Sequence, residues 1–429
     1  MFSTGSVIVG RSDESRAILL FAAALCIGAE LLGIAGTARA PHAQLVEIYR
    51  SPAAVLTLGS VAIQFVILQL LSRPTASELR VTAVCGSALS VLLVSVLGHP
   101  LAAFNWYQRI FILGAGFGTA ALFAFAASAV GNTGDAVRAR RLLVACVFIA
   151  VFSLSAEAYL DISSALHPAT FDHVAYRWDA TLGFEPSVAV ALVAQDWPAL
   201  LSLLTAVYIL MPYGFAALYA LQFARPRRVA VNFLSLWVLG STIGYALYHA
   251  LPVAGPKYAF ASAFPAFMPD PSSVAALPAA VPPAPRNGIP SMHFGWALML
   301  WLNAAFLAMP WVRAAFALVA GLTALATLAL GEHYLVDLVV AVPLVVAAQA
   351  SCTLVVPWRN RDRRLALVIG MSLTIGWFLA LRWGIEVFLR VPGLSWAALA
   401  ATLGVCAWSY RRLALATAAA IDRTGASAQ

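Results

Sequence analysis

Apolar runs of about twenty residues, separated by short polar or arginine-bearing segments, recur from near residue 17 to near residue 418. Twenty apolar residues in helical conformation match a hydrocarbon core about 30 Å thick, so the pattern predicts a bundle of membrane-spanning helices. The expected spans are 17–37, 52–72, 81–104, 109–131, 141–163, 198–223, 228–251, 291–309, 311–331, 333–356, 364–388 and 394–418. The fold class is thus all-α and polytopic, with about 12 transmembrane helices. One further apolar stretch, PSVAVALVAQ, is too short to span and is expected as an interfacial or re-entrant helix in a loop over 164–197.

Composition agrees with this reading. The chain of 429 residues is 62% hydrophobic and 10% charged, far below the roughly 25% charged residues of soluble domains. The first apolar run, AILLFAAALCIGAELLGIAG, lacks a convincing small-residue cleavage pattern and is expected to be retained as the first span. Cys26, Cys85, Cys146, Cys352 and Cys406 all fall inside apolar runs without a CxxC pair, so neither a disulfide nor a zinc site is expected. One Lys among 26 basic residues, with abundant Ala, suggests a bacterial genome of high GC content and hence an inner (plasma) membrane.

The net charge of +8 comes from arginines dispersed in short loops, which encodes topology and points to no nucleic-acid partner. Placing the N-terminus inside puts the clusters RARR, RPRR and RNRDRR all on the cytoplasmic side, as the positive-inside rule requires. The loop 252–290, the start of the span at Ser291 and the start of the span at His333 then share the periplasmic or extracellular face.

Polar chemistry concentrates at those two helix mouths, GIPSMHFGWALMLW and GEHYLVDLVVAVP. Ionisable residues in membrane segments cost several kcal/mol, which makes them functional candidates by default. His333 and Asp337 are four apart, one turn along one helix face. That spacing lets Asp337 accept the Nδ1 proton of His333 and leave Nε2 as nucleophile or base. In PSMH, Ser291 marks a helix start whose free N–H groups suit an anion, phosphate above all, and His293 sits in the first turn as a proton donor or acceptor. Lys257 and Arg286 supply cations on the same face, as a phosphoryl group requires. His249 and Asp179 are further polar residues near this face, Asp179 as a wall of an acceptor pocket together with Asp161. Glu30 and Glu157 lie inside expected spans, where such acids face a helix partner or a cavity.

Together these features resemble the type 2 phosphatidic acid phosphatase superfamily, whose later motifs read PSGH and, one helix on, SRxxxxxHxxxD. Here PSMH at 290–293 and HYLVD at 333–337 keep that order, with the span 311–331 between them. The resemblance covers 141–356 and implies a six-helix catalytic core, preceded by accessory helices in 1–140 and followed by helices and a short tail in 357–429. Two positions depart. The arginine of the last motif is Thr327, and the first motif, KxxxxxxRP, survives as KYAFASAFP with Phe264 in the arginine position. ATLALGEHYLVD, YRWDATLG and PVAGPKY look more like the branch containing inositol phosphorylceramide synthase and related inositolphosphotransferases.

The resemblance implies a role for each matching position. His333 would attack phosphorus to give a phosphohistidine, Asp337 would orient it, and His293 would protonate the leaving group and then deprotonate the acceptor. Ser291 would hold phosphoryl oxygens, with Arg286 and Lys257 supplying positive charge. Neither a metal nor another cofactor is expected. The implied activity is transfer from a lipid phosphate to an alcohol acceptor at the non-cytoplasmic leaflet. The alternatives are a lipid phosphate or polyprenyl pyrophosphate phosphatase using water, and a non-catalytic lipid-binding or transport protein.

Overall fold

The computed structural model describes residues 53–225 and 229–426, together with the helical positions Ala24, Ile27, Gly28 and Leu31. Most of the expected first span, with Cys26 and Glu30, lies outside the described residues, as does the 226–228 part of RPRR. Of Glu157 and Asp161 only the helical backbone is described. The chain divides into two compact units, Met1–Ile162 and Ser163–Gln429.

In the first unit, α1 (Ala53–Leu71) and α2 (Ala76–Leu97) both pack on α3 (Trp106–Ser128). Small residues make this close approach possible: a Cβ on Gly59 would meet the Phe111 backbone, and one on Gly118 would meet Ala62. Capping boxes at Thr75–Glu78 and Asn105–Gln108 define the starts of α2 and α3. The helix α4 (Gly134–Leu166) follows, and its Arg138 pairs with Glu78 at 2.5 Å.

The second unit contains α5 (Asp172–Ala180), α6 (Pro186–Asp196), α7 (Pro198–Leu210), α8 (Tyr213–Ala224) and α9 (Phe233–Ala250). After the one-turn α10 (Pro256–Ala259) come α11 (Met292–Ala304), α12 (Pro310–Ala329), α13 (Leu335–Cys352), α14 (Arg361–Trp383), α15 (Ile385–Arg390) and α16 (Leu394–Ala426). Two short strands, β1 (Ala169–Thr170) and β2 (Ala279–Ala280), pair antiparallel and tie the long loop before α11 to the entry of α5. The centre of this unit is α13. Apart from Asp337, Gln349 and its last turn it is apolar, as a buried helix should be, and it packs against α9, α11, α14 and α16. The C-terminal helices therefore pack directly on the helix that carries Asp337.

Five described helices are long and apolar enough to cross a membrane: α2, α3, α12, α13 and α14. The expectation of about twelve spans is not met by such helices among the described residues. Two departures have a clear local cause. PSVAVALVAQ forms α6, as expected of a short helix, but runs through Trp197 and a 120° bend into α7. Pro198 has no N–H to continue α6 and holds Trp197 out of the helical region, at φ −123° and ψ 82°. The expected span 198–223 is likewise two helices, α7 and α8, which meet at Met211 and Pro212.

Candidate active site

The chain leaves α12 through Gly331, whose φ of 67° reverses its direction, and enters α13 two residues after His333. The Thr327 carbonyl accepts from the amides of Glu332 (3.0 Å) and His333 (3.2 Å), which fixes the turn. His333 and Asp337 are both buried, and His333 Nδ1 lies 3.2 Å from Asp337 Oδ2. The same oxygen accepts from the Tyr334 amide at 2.9 Å. With Asp337 accepting at Nδ1, Nε2 is the nitrogen that can carry the electron pair, and the Gly288 backbone also lies within reach of the ring. Burial pushes the His333 imidazole down to about 4, against the nearby Glu332 carboxylate, so the ring is neutral at pH 7.

Two buried carboxylates on α5 hold this arrangement from outside. Asp179 accepts from the amides of Leu335 (2.7 Å) and Val336 (3.1 Å), capping α13 from another element. Asp172 accepts from Ala254 (3.0 Å) and Gly255 (2.8 Å) in the PVAGPKY loop. Burial pushes the carboxyl of Asp179 up, and the two backbone amides oppose that shift. The acceptor-pocket role expected of Asp179 is not what its contacts serve: both of its oxygens face main chain.

The second mouth is joined to the first, because the Ser291 amide donates to the Asp337 carbonyl at 3.0 Å. Ser291 Oγ is buried and has no hydrogen-bond partner in the protein. His293 follows in the first turn of α11, its ring stacked on Tyr208 at 4.2 Å between centroids with 19° between planes. The Tyr208 hydroxyl is 3.3 Å from His293 Nδ1. His333, Asp337, Ser291 and His293 therefore come together at one end of the second unit. A cavity of ≈ 560 Å³ is lined by Trp301, Met309 and Arg313 at the far end of α11 and is not part of this cluster.

The two expected cations fare differently. Lys257 reaches the cluster, where its Nζ forms an ion pair with Glu332. Burial alone would lower its ammonium, yet the Glu332 carboxylate outweighs that and raises it. Arg286 is buried at 1% exposure, and its guanidinium donates to three carbonyls: His167 (2.9 Å), Pro282 (3.1 Å) and Val281 (3.1 Å). Its role as a phosphate ligand does not fit this geometry. The side chain instead clamps the loop ahead of α11 to the end of α4. His249 pairs with His167 at 2.9 Å.

Sequence reasoning overlooked Glu332, Tyr208 and Asp172. Glu332 had a signal, an acid immediately before the nucleophilic candidate. Tyr208 had none, since only the fold stacks α7 on the start of α11.

Comparison with known proteins bears on the same segment. Residues 174–351 match the family model described as PAP2 superfamily. No curated protein and no solved structure matches the chain. The matched residues include Lys257, Arg286, Ser291, His293, His333 and Asp337. Through residues 174–351 the chain is similar to the PAP2 superfamily, and that likeness, with its apolar helices, supports an integral membrane protein whose function is of the lipid phosphatase or phosphotransferase type.

Proposed function

We propose that the protein is a membrane-embedded lipid phosphotransferase that works through a phosphohistidine on His333. The observation that carries this reading is the buried His333–Asp337 pair, joined through the Asp337 carbonyl to a helix start whose Ser291 Oγ has no protein partner. Nε2 attacks phosphorus, an N–P bond forms, and the P–O bond to the leaving alcohol breaks as His293 gives that oxygen a proton. Asp337 stabilises the cationic ring through its Nδ1–H. In the second half the acceptor hydroxyl passes its proton to His293, its oxygen attacks phosphorus, and the N–P bond breaks to restore His333. The first turn of α11, Ser291 Oγ and Lys257 bind the phosphoryl oxygens.

The resemblance of HYLVD and PVAGPKY to the inositolphosphotransferase branch favours an alcohol over water as acceptor. The arginine clusters favour the periplasmic face of a bacterial inner membrane. The test is turnover of a labelled lipid phosphate by purified protein, with and without candidate alcohols. His333→Ala is expected to lower turnover by about 10³-fold or more. Unchanged turnover in that variant refutes the mechanism. Phosphate released to water at the same rate whatever alcohol is present assigns the phosphatase activity instead.

A further inference from the structure

An acidic residue beside a phosphate-attacking histidine works against anion binding, so Glu332 calls for an explanation. Its Oε1 is paired with Nζ of Lys257, the one lysine of the chain. The pairing is built into the backbone. The Lys257 amide donates to the Gly331 carbonyl at 3.0 Å. Gly255, at φ +109°, lies so close to the Glu332 carbonyl oxygen that a Cβ there would collide with it. Residues 255–257 and 331–332 are thus docked main chain against main chain, and the two charged side chains meet across that contact. Lys257 Nζ also sits 4.7 Å over the Tyr258 ring. The side chains are 34% and 14% exposed, so the pair stands at the mouth of the cluster, within reach of an entering ligand.

The other expected cation is turned elsewhere. Arg286 is committed to three carbonyls, and the two positions where the resembled motifs carry arginine hold Phe264 and Thr327. Phe264 packs against Gly331, and the Thr327 hydroxyl donates to the Ala324 carbonyl. Lys257 is the expected cation that remains beside His333, through its ion pair with the adjacent Glu332, which neutralises it in the resting protein.

We propose that Glu332 sets the anion affinity of the site by competing with the phosphoryl group for Lys257. An arriving phosphoryl oxygen takes the ammonium from the carboxylate, and the carboxylate reclaims it as phosphate leaves. Like charges brought together weaken ground-state binding of any anion, while the same repulsion speeds its departure. Glu332 is a positioning and specificity residue in this scheme, acting through Lys257. The proposal rests on the reading of His333 as the group that attacks phosphorus.

The experiment is inhibition of lipid phosphate turnover by inorganic phosphate, measured on the full chain. Glu332→Gln is expected to tighten phosphate inhibition about tenfold, a modest value because the pair is partly exposed and screened. It should also lower the KM for lipid phosphate and lower kcat, since release slows. Glu332→Asp, which keeps the charge and shortens the reach, should fall between wild type and Glu332→Gln. In a Lys257→Met background the effect of Glu332→Gln should largely vanish. Phosphate inhibition that is unchanged or weaker in Glu332→Gln overturns the proposal, and so does an effect of full size without Lys257. Turnover that survives His333→Ala is a failure of the underlying mechanism, whereas His333-dependent turnover with unaltered phosphate inhibition in Glu332→Gln is a failure of the competition alone.

Discussion

Replacing Asp179 with Ala separates a structural carboxylate from a substrate-binding one. Asp179 is 1% exposed, and its two oxygens accept the Leu335 and Val336 amides at 2.7 and 3.1 Å. Alanine leaves both amides unpaired where water does not reach them. An orphaned buried donor costs about 1–3 kcal/mol, so the pair costs about 2–6 kcal/mol. That is a large part of the roughly 5–15 kcal/mol that holds an ordinary domain together. Asp179→Asn should cost less, because the amide oxygen keeps one of the two donors and the substitution removes a charge whose burial is itself unfavourable. Leu335 is only two residues beyond His333, so the first turn of α13 and the His333–Asp337 pair shift with the lost cap. A displacement near 1 Å lowers rates by about 10²-fold. The measurements are thermal unfolding in detergent and turnover of lipid phosphate. A lowered Tm together with reduced kcat is expected for Asp179→Ala, with Asp179→Asn between it and wild type. Wild-type Tm combined with a raised KM for the acceptor would refute the capping role and restore the acceptor-pocket role.

Two further outcomes follow from the same geometry. In the proposed mechanism the neutral His333 ring is the nucleophile, and burial lowers its affinity for a proton, so kcat/KM should fall as pH drops through about 4 instead of near the ordinary 6.5. Between those two values the unfolded chain binds a proton that the folded one does not, and stability should therefore decline as pH falls through that window. A kinetic limb at 6–7 contradicts the burial account. Arg286→Ala should lower Tm sharply, because three loop carbonyls lose their donors, while Arg286→Lys should recover part of the stability with the KM for lipid phosphate unchanged. A raised KM at unchanged Tm makes Arg286 a phosphate ligand after all.

What the sequence disclosed and what it concealed divide along a physical line. The His333–Asp337 contact was legible because the helical repeat alone puts residues four apart on one face. The start of α11 at Ser291 was legible from Pro290 and Ser291. The partners of Asp172 and Asp179 lie 82 and 156 residues away in the chain, and no local period encodes such pairs. The same holds for cations. Lys257 and Arg286 could be recognised as charges, but whether a charge meets a carboxylate, a carbonyl or solvent is decided by the fold. Apolar content places a boundary at residues 197 and 198, where the structure has one, but it shows neither the 120° bend there nor the break of the expected span 198–223 at Met211 and Pro212.

The two α5 carboxylates also bear on how the site is assembled. Asp172 and Asp179 are seven residues apart, two turns along one face, about 10.5 Å of helix. One holds the loop that carries Lys257 and the other holds the start of α13 beside His333. A rigid segment of helix thereby fixes the separation between Lys257 and His333, which in the proposed mechanism meet and attack the phosphoryl group. Substrate need not order either of them, so binding energy is spared for the reacting atoms. Such preorganisation is of most use where positive charge is scarce. With Arg286 engaged by three carbonyls, the proposed mechanism needs Lys257 in place before substrate binds.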